Sequence, residues 1–342
     1  MKYDLLVFIG RFQPLHLGHE VVIERALSLS KKVLILVGSA NAAPSPRNPF
    51  SYEQRSKIIQ KTFSTVEIRP LNDHNYNDSA WIAEVQNHVK QILLPKNEWS
   101  PNGLNDFKIG LIGCDKDHTS YYLKMFPQWA NESVTFLNPL SATHIRNGYF
   151  LDRGNERHLL ANALNIKTVD WLLKFKQSPE YTTLSETFKF ITEYVKQWGE
   201  GPFLTSDSLV QVGGNILLIQ RGKEYGHGLY ALPGGFVNKH ETFKNASLRE
   251  LKEETNIRVP RPVLLGSLKN SKTYDDPHRS ERGRLVTQCF HYLLENDTAL
   301  PEVRGSDDAE WAGFKEIDWV LSNPKLFFED HYHIIKNMLG VS

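Results

Sequence analysis

The stretch Leu5-Leu6-Val7-Phe8-Ile9-Gly10-Arg11-Phe12-Gln13-Pro14-Leu15-His16-Leu17-Gly18-His19 decides how the first half of the chain is read. Its opening residues form a short, continuous apolar run, the pattern of a strand buried on both faces. From Glu20 to Leu29, Val22, Ile23, Ala26 and Leu29 recur at helical spacing, and a second apolar run, Val33 to Val37, follows and ends at Gly38. Strand, helix, strand is a βαβ unit, and ligands of open parallel sheets bind at the carboxyl ends of the strands. The intervening loop is equipped for phosphate. A helix N-terminus presents free N–H groups and the positive end of a dipole. Gly10 and Gly18 let the backbone come close. Arg11 adds a planar cation, and His16 and His19 flank the second glycine. No Gly-rich loop ending in Gly-Lys-Ser or Gly-Lys-Thr occurs, so a P-loop is excluded.

The same alternation continues outward. Ser51 with Gln54 makes a capping box before a helix near Tyr52. Ser79 to Leu94 is a second helix, with Trp81, Val85, Val89 and Ile92 on one face. Ile109 to Ile112, ending at Gly113, and Val134 to Leu137 read as further strands. The first block is therefore α/β, a doubly wound parallel sheet. Residues 155–199 read as helical, with a second capping box at Thr183 and Glu186, until Gly199 and Gly201-Pro202 stop the run. Beyond that the character changes. Leu209 to Ile219 reads as a β-hairpin around Gly213-Gly214, one long helix spans Phe243 to Glu254, and Val286 to Leu294 is a strand. This block is α+β. The expected division is a first domain over 1–178 with C-terminal helices, a helical linker over 179–202, and a second domain over 203–342.

Composition fits that division. The 342 residues suggest two domains. Lys+Arg is 40 against Asp+Glu 39, a net charge of +1, which argues against a nucleic-acid partner. The two cysteines, Cys114 and Cys289, are far apart, so a disulfide framework and a cysteine zinc site are not expected. No signal-peptide pattern and no membrane-length apolar run occur. The expectation is a cytoplasmic protein with no membrane partner, its homo-oligomeric state left open.

The motif around His16 and His19 resembles that of the HxGH nucleotidylyltransferase superfamily, and the wording from Gly10 to His19 is similar to the archaeal-type nicotinamide mononucleotide (NMN) adenylyltransferases. Ser141-Ala142-Thr143-His144-Ile145-Arg146 matches that family's second motif, and Arg47-Asn48-Pro49-Phe50-Ser51 and Gly113-Cys114-Asp115-Lys116-Asp117 resemble its loops. The resemblance implies adenylyl transfer from ATP to NMN, giving NAD and pyrophosphate, with Mg²⁺ bridging the phosphates. It implies His16, His19 and Arg146 as catalytic residues. Gly10, Arg11, Phe12, Gln13, Gly18, Arg47, Gly113, Asp115, Ser141 and Thr143 would line the substrates. Trp81 has two open readings, stacking on a nicotinamide ring or packing in the core. Asp73, Asn75 and Tyr76 have two open readings as well, lining the NMN site or standing as solvated loop residues.

The second block carries a stronger pattern. Gly235, Glu241, Arg249-Glu250, Glu253-Glu254 and Ile257 fall at the spacing of the Nudix signature, with Asn256 where that signature has its second glycine. Asn is the next best residue for a left-handed helix C-cap. Glu250, Glu253 and Glu254 share one helix face. Clustered carboxylates of this kind suit Mg²⁺ or Mn²⁺ as ligands, with Glu253 and Glu254 also assigned catalytic roles. Arg249 can hold the array, and Gly234 and Gly235 let a tight loop approach metal and diphosphate. Tyr274 to Arg284 resembles the Asp-Pro-x-Arg segment of Nudix proteins acting on ADP-ribose. That resemblance implies Arg279 and Arg282 as phosphate ligands, the alternative being a flexible charged loop. The module order is similar to that of bifunctional NMN adenylyltransferase/ADP-ribose pyrophosphatases. Two alternatives remain open: another HxGH transferase substrate, or a Nudix half that senses ADP-ribose or NAD without cleaving it.

Overall fold

The computed structural model describes residues 1–94, 100–113, 123–135, 141–151, 156–222, 225–295 and 299–341. The chain divides into two compact units, Met1–Phe188 and Lys189–Ser342.

The first unit is built on five parallel strands in the order β3-β2-β1-β4-β5. In chain order its elements are β1 (Tyr3–Gly10), α1 (Leu17–Leu29), β2 (Ser30–Val37), α2 (Tyr52–Thr62), β3 (Glu67–Pro70), α3 (Asp78–Leu93), β4 (Ile109–Gly113), β5 (Ala130–Ser133), α4 (Ala142–Phe150), α5 (Glu156–Ala163), α6 (Ile166–Phe175) and α7 (Pro179–Trp198). The central strands β1, β2 and β4 are buried along nearly their whole length, as their unbroken apolar runs require. Alternation sends Leu6 and Phe8 to the core under α1 and α2, and Leu5, Val7 and Ile9 to the core under α3. The sheet order reverses at β1, and the ligand crevice of such sheets lies beside that reversal. The Ser51–Gln54 capping box forms: Ser51 Oγ accepts from Gln54 N at 3.3 Å, and Gln54 Oε1 accepts from Ser51 N at 2.9 Å.

Two sequence expectations need correction. The last strand is Ala130–Ser133, not Val134 to Leu137. It is a mostly exposed edge strand pairing Gly110 with Ala130 through Gly113 with Ser133. An edge needs no apolar run, which is why Ala-Asn-Glu-Ser escaped notice. Residues 136–137 lie outside the described residues. Thr183 and Glu186 do not cap a helix either. α7 begins at Pro179 in the first turn, where a missing N–H costs nothing. Ser178 Oγ accepts from Tyr181 N at 3.2 Å, and Thr183 lies inside the helix. Leu184 and Phe188 of α7 belong to the first unit's helical core, whereas Phe190 and Ile191 pack against the second unit's cluster around Ile219, Tyr225 and Phe328.

The second unit contains β6 (Phe203–Val212), β7 (Asn215–Arg221), β8 (Tyr230–Ala231), β9 (Gly234–Phe236), α8 (Phe243–Thr255), α9 (Arg261–Gly266), β10 (Leu268–Tyr274), β11 (Leu285–Leu294), β12 (Ala309–Glu316), α10 (Ile317–Ser322) and α11 (His331–Leu339). Its sheet runs β10-β11-β6-β7-β12, with β8 on β7 and β9 on β6, and β6 pairs with β11 in parallel. The expected hairpin is present, with Gln211 opposite Ile216 and Val212 opposite Asn215. α8 lies on the sheet because β6 carries small hydroxyls there. Ser206 Oγ donates to Phe243 O at 2.8 Å and Ser208 Oγ to Ser247 O at 3.0 Å. Leu248 and Leu251 of α8 fill the core with Val210, Leu217 and Tyr292.

Candidate active sites

In the first unit the phosphate loop is rigidly built. His16 is the N-cap of α1, and His19 is its third residue. Each ring accepts from the other's backbone: His19 N donates to His16 Nδ1, and His16 N donates to His19 Nδ1, both at 3.4 Å. The rings stack with centroids 3.7 Å apart. With both Nδ1 atoms accepting, the hydrogen of each neutral ring resides on Nε2. The loop's other residues hold this arrangement. Phe12 adopts φ 52 and packs its ring 4.8 Å from that of His19. A Cβ on Gly10 would press within 3.1 Å of the Phe12 ring. Gln13 is buried and exchanges hydrogen bonds with Phe50, Nε2 to Phe50 O at 2.9 Å and Phe50 N to Oε1 at 3.0 Å. Gly18 is in the first turn of α1, and Arg11 is exposed beside it.

α4 brings the second motif to the same loop. Ser141 caps it, accepting from His144 N at 3.4 Å. Arg146 is buried and donates to Gln13 O at 2.9 Å, Pro46 O at 3.0 Å and Thr143 Oγ1 at 3.1 Å. It therefore clasps three segments of the site. Arg47 is half-buried in the segment between β2 and α2. Gly113 ends β4, and Asp115 lies outside the described residues. Trp81 is half-buried on α3 and packs 6.0 Å from Phe126 at the edge of the core.

The sequence reading missed Arg55. This guanidinium is 3% exposed and binds four carbonyl oxygens: Arg11 at 2.7 Å, Gly38 at 2.6 Å, Ser39 at 3.1 Å and Ser51 at 3.2 Å. It ties the carboxyl ends of β1 and β2 to α2, and burial pulls its pKa down to about 10. A signal existed: an arginine in the first turn of a helix opposes the dipole and needs acceptors. Asp73, read from sequence as an NMN-site or a solvated loop residue, is half-buried. It is not a solvated loop residue; it accepts from Ser39 Oγ at 3.1 Å, and burial raises its pKa against the pull of Arg11 and Arg55.

In the second unit, α8 presents its carboxylates as the spacing predicts. Asn256 takes the left-handed C-cap at φ 47. Arg249 donates to Glu241 at 2.9 Å, Glu250 at 2.6 Å, Glu253 at 2.8 Å and Phe236 O at 2.9 Å. Glu254 is 3% exposed and accepts from Gly234 N at 2.8 Å. Burial, reinforced by the charge of Glu250, pushes its pKa up to about 8. Gly234 and Gly235 are obligatory: a Cβ on Gly235 would lie 2.6 Å from the Glu250 carboxylate, and one on Gly234 would lie 2.2 Å from Asp207 Oδ1. Asp207 was not foreseen. It accepts from Thr287 Oγ1 at 2.6 Å, and burial pushes its pKa up to about 6. Among the described residues, no three His, Cys, Asp or Glu side chains stand ready around a cation position. The donor set nevertheless fits one. Glu250 and Glu254 are acids whose pKa values burial raises, so they lack full compensation. Hard oxygen ligands of this kind suit Mg²⁺ or Mn²⁺.

Arg279 and Arg282, which the resemblance implies as phosphate ligands, are engaged by carboxylates. Arg279 and Asp330 are each 2% exposed and form a two-point pair at 3.0 and 2.9 Å. Arg282 pairs with Glu329 at 3.4 Å. Both arginines thus anchor the segment between β10 and β11 to the start of α11.

Comparisons with known proteins assign each half to a family. The NUDIX domain family matches residues 206–338, and the cytidylyltransferase-like family matches residues 7–91. A nicotinamide/nicotinic acid mononucleotide adenylyltransferase of Acinetobacter baylyi is 35% identical over 55% of this chain and 95% of its own length. An ADP-ribose pyrophosphatase of Methanocaldococcus jannaschii is 36% identical over 40% of this chain and 73% of its own. A crystal structure of a bifunctional NMN adenylyltransferase/ADP ribose pyrophosphatase from Francisella tularensis covers 99% of both chains at 32% identity with a TM-score of 0.87. The chain belongs to this bifunctional family. A second Francisella tularensis structure, complexed with AMP and a Mn ion, matches with a TM-score of 0.86. No helix in the described residues is long and apolar enough to cross a membrane.

Proposed function

We propose that the protein joins two activities of NAD metabolism. The first unit transfers the adenylyl group of ATP to NMN. The second hydrolyses ADP-ribose to AMP and ribose 5-phosphate. The observation that carries this reading is the presence, in one chain, of two differently built phosphate sites: reciprocally capped histidines on α1, and a carboxylate face on α8 seated against Gly234.

In adenylyl transfer an NMN phosphate oxygen attacks the α-phosphorus of ATP, the bond to the β-phosphate oxygen breaks, and pyrophosphate departs. No covalent intermediate is required, and catalysis rests on positioning and charge stabilisation. Nε2–H of His16 and His19 would donate to the triphosphate and to the transferring group. Arg11 and Arg47 would neutralise phosphate charge, and Ser141 and Thr143 would orient it at the α4 start. Arg146 would hold the loop while donating toward the same charge. Trp81 would stack on the nicotinamide ring, and Gly113 and Asp115 would belong to the substrate-binding set.

In hydrolysis, water attacks a phosphorus of the ADP-ribose diphosphate and the bridging oxygen leaves. Mg²⁺, with Mn²⁺ as a substitute, supplies charge neutralisation and an acidified water when bound. Glu250, Glu253 and Glu254 would hold it, which requires Arg249 to release Glu250 and Glu253. Glu254 is held in place by Gly234 N–H. ATP, NMN, NAD and ADP-ribose are thus the small-molecule partners, and the cytoplasm is the compartment in this reading.

The test is separability. His19→Ala abolishes NAD formation from ATP and NMN while ADP-ribose hydrolysis persists. Glu254→Gln does the reverse. If either substitution removed both activities, the two-site reading would fail. A panel of nucleoside diphosphate compounds assayed with wild type tests the ADP-ribose assignment.

A further inference from the structure

Asp330 and Glu329 engage Arg279 and Arg282, and a further arginine, Arg221, shares the Phe328 ring with Arg282. Arg221 ends β7, and the chain returns from it through Gly226 and Gly228 to β8. Its Nε donates to Tyr225 O at 3.2 Å, and its guanidinium lies 4.1 Å from the centroid of the Phe328 ring. The packing is tight: a Cβ on Gly226 would lie 2.3 Å from Phe328 and 3.2 Å from Arg221 Nε. Both terminal nitrogens of Arg221 lack a hydrogen-bond or ion-pair partner among the described residues, although neither is sealed from solvent. It therefore differs from Arg249, Arg279 and Arg282, which all hold carboxylates.

A short path links Arg221 to the carboxylate face. Phe328 N donates to Tyr230 O at 2.9 Å, and His331, whose ring is 5.9 Å from that of Phe328, accepts from Leu232 N at 3.1 Å. Two residues further, Gly234 N holds Glu254. Burial and the charge of Arg282 lower the pKa of Arg221, against the pull of Glu329 and Glu254. We propose that Arg221, fixed on Phe328 with its terminal nitrogens open, is the diphosphate-binding arginine of the hydrolase site. Arg279 and Arg282 then act as positioning residues that set the wall beside it. A planar fork already ordered by stacking can take two oxygens of a diphosphate at low entropic cost. This rests on the second unit being a nucleoside-diphosphate hydrolase, and it names the residue that reads the shared diphosphate.

The experiment is steady-state hydrolysis of ADP-ribose by the full chain, wild type against Arg221→Gln and Arg221→Lys, with NAD formation and thermal melting measured in parallel. Loss of a charge-assisted contact raises KM at least about tenfold in Arg221→Gln, with a smaller rise in Arg221→Lys, which keeps charge without the fork. NAD formation stays at the wild-type rate. Should Arg221→Gln lose its melting transition, Arg221→Lys is read in its place. An unchanged KM in the folded variant overturns the proposal, as does a fall in kcat alone. If wild type cleaves some other nucleoside diphosphate and not ADP-ribose, the substrate assignment fails instead. The same comparison on that compound then still decides the role of Arg221.

Discussion

Replacing Arg55 by Lys gives a quantitative test of how the first site is held. The guanidinium satisfies four carbonyl oxygens from three segments, at 2.6 to 3.2 Å. A lysine ammonium projects its three donors from one point and cannot reach Arg11, Gly38, Ser39 and Ser51 together. Two of the four acceptors would be left without a partner. At about 1–3 kcal/mol for each buried group left unsatisfied, the loss is about 2–6 kcal/mol. In a unit of this size each kcal/mol moves the midpoint by about 2–4 °C, so melting of the first unit falls by about 4–24 °C. Function suffers more, because one released acceptor is the Arg11 carbonyl in the phosphate loop. Misplacing a positioning group by about 1 Å costs about 100-fold in rate, so NAD formation falls by about one to two orders of magnitude. ADP-ribose hydrolysis, performed by the other unit, is the internal control and stays unchanged. Differential scanning calorimetry and the two steady-state assays give the readouts. An Arg55→Lys variant that melts and makes NAD as wild type does would refute the clasp.

Other outcomes follow from single groups. His291 is fully buried, with Nε2 against Gln211 Oε1 at 2.9 Å and Nδ1 unpartnered, and burial, aided by Lys269, pulls its pKa down to about 4. Its neutral form belongs to the fold, so stability is full above pH ~6.5 and declines as pH falls from there toward ~4, by about 3 kcal/mol in all. His291→Gln removes that slope in urea titrations; an unaltered slope would assign it to other groups. Asn256→Gly relieves the left-handed cap at φ 47, raising stability by up to about 1 kcal/mol with hydrolysis unchanged; lower stability would contradict the cap argument. Chelation of divalent cations abolishes ADP-ribose hydrolysis, and Mg²⁺ or Mn²⁺ restores it; activity persisting in chelator would show that the α8 carboxylates work without a metal.

What the sequence disclosed and what it withheld divide along a physical line. Spacing along one helix is local, so the shared face of Glu250, Glu253 and Glu254 and the role of Asn256 as C-cap were legible before any fold was known. The buried runs of β1, β2 and β4 were equally legible, because a central strand must be apolar throughout. Edge strand β5 carries no such obligation and was misplaced. Arginines were the hardest to read, because their function depends on partners distant in the chain. Arg279 and Arg282 sit in a segment that resembles a substrate loop, yet Asp330 and Glu329, some fifty residues on, have claimed them. Arg55 bears no motif, but carbonyls from 4 to 44 residues away converge on it. A guanidinium already satisfied by carboxylates gains little from a phosphate, because the new contact must first break an existing one. The arginines to test first as phosphate ligands are therefore those the fold orders while leaving donors open, and in the hydrolase unit Arg221 meets that criterion.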